Sequence, residues 1–386
     1  MSLPIRFDST ETGAPVLDNV AGSKIALLRA CLKDGFNVKA ITTITVASGV
    51  ATVQCPTHAY SCGPAQLVRI TGASAPALNG DKQPALVDAN HFTFPAGGVA
   101  DGSYTATDAR RAPLGWVELY ADGSATKAIF GRSAVGANDV QLRVDDTASA
   151  PATVSYARVL AVRGATSVDA FTARAPLDAQ VSGGLAAFKG ANTVAAKHWV
   201  LVGTDRDLWL FVADPGAVKF QPSICLFDGE PYLPGDALFT VIAATNGSAV
   251  TNVQNGAFSI FQLTGTPATP GYGVIFSDAA GVGNPEPFAI GSPFRPSGGH
   301  GDNAAGVPTD ALNFVVAFDL YIRGVSSGVR GTVPGLGEPF VGADSLVFDR
   351  HKVQYASSGA TMLMVKINYG GTITGMTAFM LSEEWR

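Results

Sequence analysis

Trp199-Val200-Leu201-Val202-Gly203-Thr204-Asp205-Arg206-Asp207-Leu208-Trp209-Leu210-Phe211-Val212 sets two short apolar runs on either side of a polar tip. Each run is too short for a helix and rich in residues that favour a pleated backbone, while the tip carries one glycine and three charges. The pattern predicts a β-hairpin, 199–202 against 208–212, and the same grammar repeats outward in both directions. Toward the N-terminus, 116–120, 127–130, 140–144 and 153–162 read as strands. Toward the C-terminus, 237–244, 258–263, 314–322, 346–348, 362–366 and 377–381 do. Residues 185–197 are expected to hold a short helix that Gly190 weakens. The Pro/Gly-rich stretch 265–306 shows little periodicity and reads as long ordered loops.

From 38 to 108 the runs shorten further. Strands are expected at 41–46, 50–54, 66–71, 85–88 and 91–94, with Asn79-Gly80-Asp81 as a tight turn, since Asn and Gly accept positive φ cheaply. So many strands in so few residues predict a small barrel or sandwich that folds as its own unit. One segment is helical in period: Ile25, Leu28, Cys31 and Leu32 share a face, Ser23 stands at the N-cap and Gly35 just past the end, predicting a helix over 23–34. Gly13 to Leu17 before it reads as an extended arm. The predicted fold class is mainly β, with multi-domain β-sandwich/barrel modules and one short N-terminal helix.

Composition agrees. Hydrophobic residues make up 47% and charged residues 15%, the reverse of a disordered chain. The 44 glycines and 23 prolines are scattered along the chain, as punctuation between strands. Net charge is −5 and the cations are dispersed, which disfavours nucleic acid as a partner. The N-terminus MSLPIRFDST lacks the apolar core of a secretory signal, and no run is long enough to span a membrane. The chain is therefore expected to be made and kept in the cytoplasm until released, and the Asn246-Gly247-Ser248 sequon to be without meaning. Cys31, Cys55, Cys62 and Cys225 are too sparse for a disulfide framework. Cys55 and Cys62 flank a turn, where buried thiols, a local disulfide and a metal pair are alternatives.

Several phrases occur together in a specific order. They are Gly13-Ala14-Pro15, the helix Gly22 to Phe36, Ala112-Pro113-Leu114-Gly115-Trp116, Lys127-Ala128-Ile129-Phe130, Leu142-Arg143-Val144-Asp145-Asp146, Leu226-Phe227-Asp228-Gly229 with Pro234-Gly235-Asp236, and Val329 to Leu336. This set resembles a family of uncharacterised tail-associated virion proteins of tailed bacteriophages and prophages, over most of the chain. In that family the helix end runs almost directly into the Gly-Trp strand. Here 38–108 intervenes and resembles a small β module recurrent in phage tail and fibre proteins, carried by Val50-Ala51-Thr52-Val53, His58, Gly63, Ile70-Thr71-Gly72-Ala73, Leu78-Asn79-Gly80 and Phe92-Thr93-Phe94. The resemblance implies four parts: an arm and helix at 1–37, an inserted module at 38–108, a central β domain at 109–264 that packs with 1–37, and a loop-rich segment with a C-terminal β domain at 265–386. An insertion is tolerated if the module's ends lie close together.

The motifs that suggest chemistry have ordinary structural readings. Gly324-Val325-Ser326-Ser327-Gly328 matches a nucleophile elbow, but Val-Arg-Gly-Thr-Val-Pro-Gly follows and cannot form the helix that an elbow needs. Gly299-His300-Gly301-Asp302-Asn303-Ala304 loosely fits a dinucleotide fingerprint without its strand or helix. His58, His91, His198, His300 and His351 form no ligand pair in sequence, so a metal or base role rests on tertiary convergence. Asp205 with Asp207 reads as a hairpin tip and Asp145 with Asp146 as a strand end. Trp116, Trp199, Trp209 and Trp385 suit core or interface packing, with Trp385 offering a dock to a neighbouring subunit. No catalytic, metal or cofactor-binding residue is assigned and no cofactor is expected. The expected function is that of a non-enzymatic, homo-oligomeric structural protein of a phage tail, collar (neck) or baseplate, located in the virion and contacting itself and other tail proteins. The rival is a receptor- or glycan-binding fibre or spike protein that contacts a host-surface glycan.

Overall fold

The computed structural model describes residues 3–149, 153–231 and 239–245, and further on 273–277, 286–291, 318–324, 328–338, 351–355, 361–368, 374–382 and 384–385. The chain is mainly β, with several antiparallel sheets and one short helix, and no sheet closes into a barrel. The opening hairpin is present as His198–Gly203 against Leu208–Ala213, with Gly203 opposite Leu208. With Gln221–Asp228 and Phe239–Ala244 it forms the middle of a 13-stranded sheet.

These four strands are buried on both faces, which is why their sequences run apolar without alternation. Trp199, Leu201, Leu208, Leu210 and Val212 point into one core, and Val200, Val202, Trp209, Phe211 and Ala213 into another. The first core is closed by a six-stranded sheet built on Val117–Ala121, Lys127–Gly131, Gln141–Ser149, Val154–Arg163, Ala173–Ala175 and Leu185–Ala191, together with the helix and arm. The second is closed by the long sheet's own later strands through Val333, Leu363, Val365, Phe379, Leu381 and Trp385. The result is three stacked layers. Each large apolar side chain taken from water contributes about 1.5–3 kcal/mol, so the middle strands anchor both cores.

The long sheet starts at Ile5–Asp8, beside His198–Gly203, and ends at His351–Tyr355. It runs continuously past residue 264, so described strands on both sides of that boundary share a sheet and a core.

Residues 36–111 form a sandwich of a four-stranded and a five-stranded sheet around Ile44, Val46, Val53, Ile70, Phe92 and Phe94. Its entry and exit strands, Phe36–Ala40 and Asp108–Arg111, pair antiparallel with Ala40 opposite Asp108. The two ends of the unit therefore lie side by side.

The helix α1 (Ser23–Arg29) continues as a π turn over Ala30–Asp34. Gly35 N–H closes that turn on Ala30 O at 2.9 Å. Both helix ends are satisfied from distant sequence. The carbonyls of Cys31 and Leu32, which have no helical partner, accept N–H bonds from Leu114, Gly115 and Trp116 at 2.9 Å.

Four local expectations are corrected. Ser23 is not the N-cap: Gly22 holds that position with φ 82, and Ser23 Oγ donates instead to Asp18 O at 3.0 Å. Residues 185–197 hold no helix. Leu185–Ala191 is a strand along Val154–Arg163, and Gly190, at φ 109 against Lys197 and Asp214, marks a register shift there. Asn79-Gly80-Asp81 is not the tight turn expected. A 3-10 turn at Pro76–Leu78 makes the reversal, Asn79 braces it through both Ala73 backbone groups, and Gly80–Lys82 is already a strand. The stretch 265–306 is not all loop, since Gly273–Ser277 and Glu286–Gly291 are strands of the long sheet.

Candidate functional site

Lysine rarely enters a core without a partner, because an unpaired buried ammonium is costly. Lys24 of α1, Lys189 of Leu185–Ala191 and Asp146 of Gln141–Ser149 are each 0% exposed. Lys189 Nζ lies 2.6 Å from Asp146 Oδ1 and 2.7 Å from Val20 O. Asp146 Oδ2 accepts the Lys24 backbone N–H at 2.9 Å, capping α1 from another strand. Lys24 Nζ turns away from that carboxylate and donates to Ala187 O (3.0 Å), Phe188 O (2.7 Å) and Ser223 Oγ (2.5 Å). One carboxylate thus serves the Lys189 ammonium and the N-terminus of α1, with a second buried lysine beside it.

Burial pulls the Lys24 amine well below its ordinary value, against Asp146 and with Lys189. Burial likewise pushes the Asp146 carboxyl up, against the pull of both lysines. Neither cation stands out from the residue pattern as a site residue. Lys24 gave a signal: it stands four residues before Leu28 and seven before Cys31, on the helix's apolar face. Lys189 gave only its position inside the apolar run 185–191.

A second cluster closes the seam between the ends of the long sheet. His351 Nε2 lies 2.6 Å from Asp8 Oδ2, so the first and last strands meet through side chains and not through a ladder. Asp8 also accepts the Thr10 N–H and O–H, both at 2.8 Å. Beside it Arg111, 1% exposed, pairs with Glu11 at 2.6 Å, donates to Leu67 O and Arg6 O, and lies over the Phe7 ring. Arm, module and C-terminal strands meet here.

Burial pushes the Asp8 carboxyl up, but the hydrogen bond and charge of His351 and the two Thr10 donors outweigh it and hold the group at about 2. The ordinary value is 3.8. A carboxylate depressed in the folded state stabilises above its unfolded value and loses that contribution as pH falls through its folded value. Stability is therefore expected to drop by about 2 kcal/mol between pH 4 and pH 2 from this group. Urea unfolding at successive pH values checks it, and Asp8→Asn is expected to flatten that acid limb. An unchanged limb in the variant would refute the assignment.

The residues singled out in the sequence do not converge on one place. Asp145 accepts from Thr147 and lies 3.3 Å from Arg143. Asp207 is buried below the hairpin tip, where its Oδ1 accepts the Asp228 N–H at 3.1 Å, and Asp228 pairs with Arg132 at 2.5 Å. His58 is fully buried, its Nδ1 accepting the Tyr60 N–H at 3.0 Å, its ring stacked on Tyr60 and edge-on to Phe92. His91 lies 2.9 Å from Asp88, and His198 opens its strand.

The four cysteines are free thiols. Cys31, Cys55 and Cys225 are buried, and burial raises all three, Cys55 to about 11. Among the described residues no group of three His, Cys, Asp or Glu side chains is arranged to hold a metal. Trp116, Trp199, Trp209 and Trp385 are all buried. Trp385 stacks on Phe379 of its own chain and donates to Met380 O, so it docks inside this molecule. Gly324 and Gly328 face each other across a hairpin between two strands, with 325–327 outside the described residues. His300, the 299–304 motif and the 246–248 sequon also lie outside them.

No protein-family model matches the chain, and a search of curated proteins returns no match.

Proposed function

We propose that the chain is a structural component of a tailed-phage virion, assembling with copies of itself and with other tail, collar or baseplate proteins, and that it performs no catalysis. One observation carries the reading. Three of the phrases whose order resembles the phage tail-associated family, 114–116, 127–130 and 142–146, come together in space around α1. Leu114 to Trp116 cap its C-terminal carbonyls. Asp146 caps its N-terminus. Lys127–Gly131 pairs with the strand that carries Asp146, with Lys127 opposite Asp145.

Those phrases therefore build a clamp rather than line a cleft, which suits a part whose work is geometric. The side-by-side ends of the 36–111 unit suit an inserted, outward-facing module. The burial of all four tryptophans leaves none of them as the stacking platform that a glycan-binding reading would use.

The test is cryo-electron microscopy of the purified particle that encodes this chain. Density for the three-layer body at the tail tube, collar or baseplate is expected. Absence of the chain from the particle overturns the reading, and a distal position with loops facing outward replaces it with host binding.

A further inference from the structure

The buried cluster holds two lysines against one carboxylate, an excess of positive charge with no exposed surface to relieve it. One of the pairs is also placed for a reaction. Lys189 Nζ sits 2.6 Å from Asp146 Oδ1, which puts it roughly 3–3.5 Å from the carboxyl carbon, the separation of a near-attack pair. Asp146 Oδ2 accepts the Lys24 backbone N–H at 2.9 Å, so a fixed donor already faces the oxygen that would gain charge. Lys24 Nζ does not compete, being held by two carbonyls and Ser223 Oγ.

We propose that Lys189 and Asp146 condense into an intramolecular amide that covalently joins Gln141–Ser149 to Leu185–Ala191. The two strands flank Val154–Arg163 without pairing with each other, so the bond would tie together what the ladder does not.

The step balances without a co-reactant. The ion pair first becomes a neutral pair, the ammonium of Lys189 giving one proton to Oδ1. The amine lone pair then attacks Cγ, the C–O π electrons move onto Oδ2, and the Lys24 N–H stabilises that charge. The attacking nitrogen passes a second proton to Oδ1. Collapse of the tetrahedral centre re-forms the carbonyl at Oδ2 and expels Oδ1 with its two protons as water, while the third proton of the original ammonium stays on nitrogen as the amide N–H: an ammonium and a carboxylate yield an amide and one water. Burial favours the neutral reactants, as the upward displacement of the Asp146 carboxyl reflects. The product removes two buried charges and cross-links the unfolded chain. The proposal stands apart from the virion reading, since it needs only the folded chain.

The experiment is an intact-mass measurement of the full wild-type chain under denaturing conditions, with peptide mapping. The expected mass is one water below that of the sequence, after allowing for removal of Met1. Digestion is expected to give a branched peptide joining the segments around Asp146 and Lys189. A mass equal to the sequence overturns the proposal. So does a water loss that maps to a linear peptide, because that places the dehydration within the Asp146 backbone and not on Lys189. The wild-type mass decides by itself, so no variant that fails to fold can obscure the result.

Discussion

Asp146→Ala is expected to cost about 3–5 kcal/mol of stability, enough to leave the chain unfolded or insoluble under ordinary expression conditions. The carboxylate is 0% exposed and serves two elements at once: Oδ1 faces Lys189 and Oδ2 caps α1. Its removal leaves two lysines inside the core with no carboxylate between them, and returns the Lys24 N–H to the unsatisfied state of an open helix end. Lys24→Met is the informative comparison. It removes a buried cation that the carboxylate does not contact and keeps most of the side-chain volume, so it is expected to cost less, about 1–2 kcal/mol for the hydrogen bonds lost at Ala187 O, Phe188 O and Ser223 Oγ. Denaturant titration of the soluble variants gives the ranking. A Lys24→Met loss equal to or above that of Asp146→Ala would mean that the cluster is not organised around the carboxylate.

Gly35→Ala is the second large effect, expected at about 3 kcal/mol or more. Gly35 has φ 75 and ψ 178, a region that residues with a Cβ scarcely enter. A Cβ placed there would also stand 2.3 Å from Arg111 O, a backbone atom that cannot swing aside. The strain falls where the helix ends, the 36–111 unit begins and Arg111 ties that unit to the arm through Glu11. Thermal unfolding of the variant checks it, with a transition several degrees lower or split in two. Gly49→Ala is the control: its φ is similarly positive at 76, but nothing lies within 4 Å of an added Cβ, so only the smaller backbone cost of about 1 kcal/mol is expected. Equal losses at the two glycines would remove the close approach of Arg111 O from the account.

Gly35 shows where legibility ended. A glycine directly after an amphipathic run marks a helix end, and the structure has a positive φ there. The nearness of Arg111 O was invisible, because it depends on how a strand 76 residues later returns past the helix. Ser23 shows the same limit from the other side. Its residue type is right for a cap, but Asp146 reaches the helix from across the core, and Gly22 takes the left-handed turn that a serine cap would have excluded. The segment 185–197 failed for a related reason: its alanines suit a helix locally, yet the open flank of Val154–Arg163 recruits them as a strand. Of the buried cluster, Asp146 was legible as one of a carboxylate pair and Lys24 as a cation on an apolar helix face, while their meeting with Lys189 was not.

Residue pattern alone established that this chain is β-rich, where about half of the described strands lie, that one short helix stands near the start, and that a run of short strands follows it. These are properties of short windows, set by side-chain period and by the conformational freedom of Gly and Pro. Packing of distant segments put the Trp199 hairpin in the middle of three layers, set one carboxylate against Lys189 and the N-terminus of α1, and brought His351 to Asp8 across the open seam. Those facts join residues dozens to hundreds of positions apart. Burial energy depends on which surfaces meet, and nothing in a local window records which distant segment will cover it.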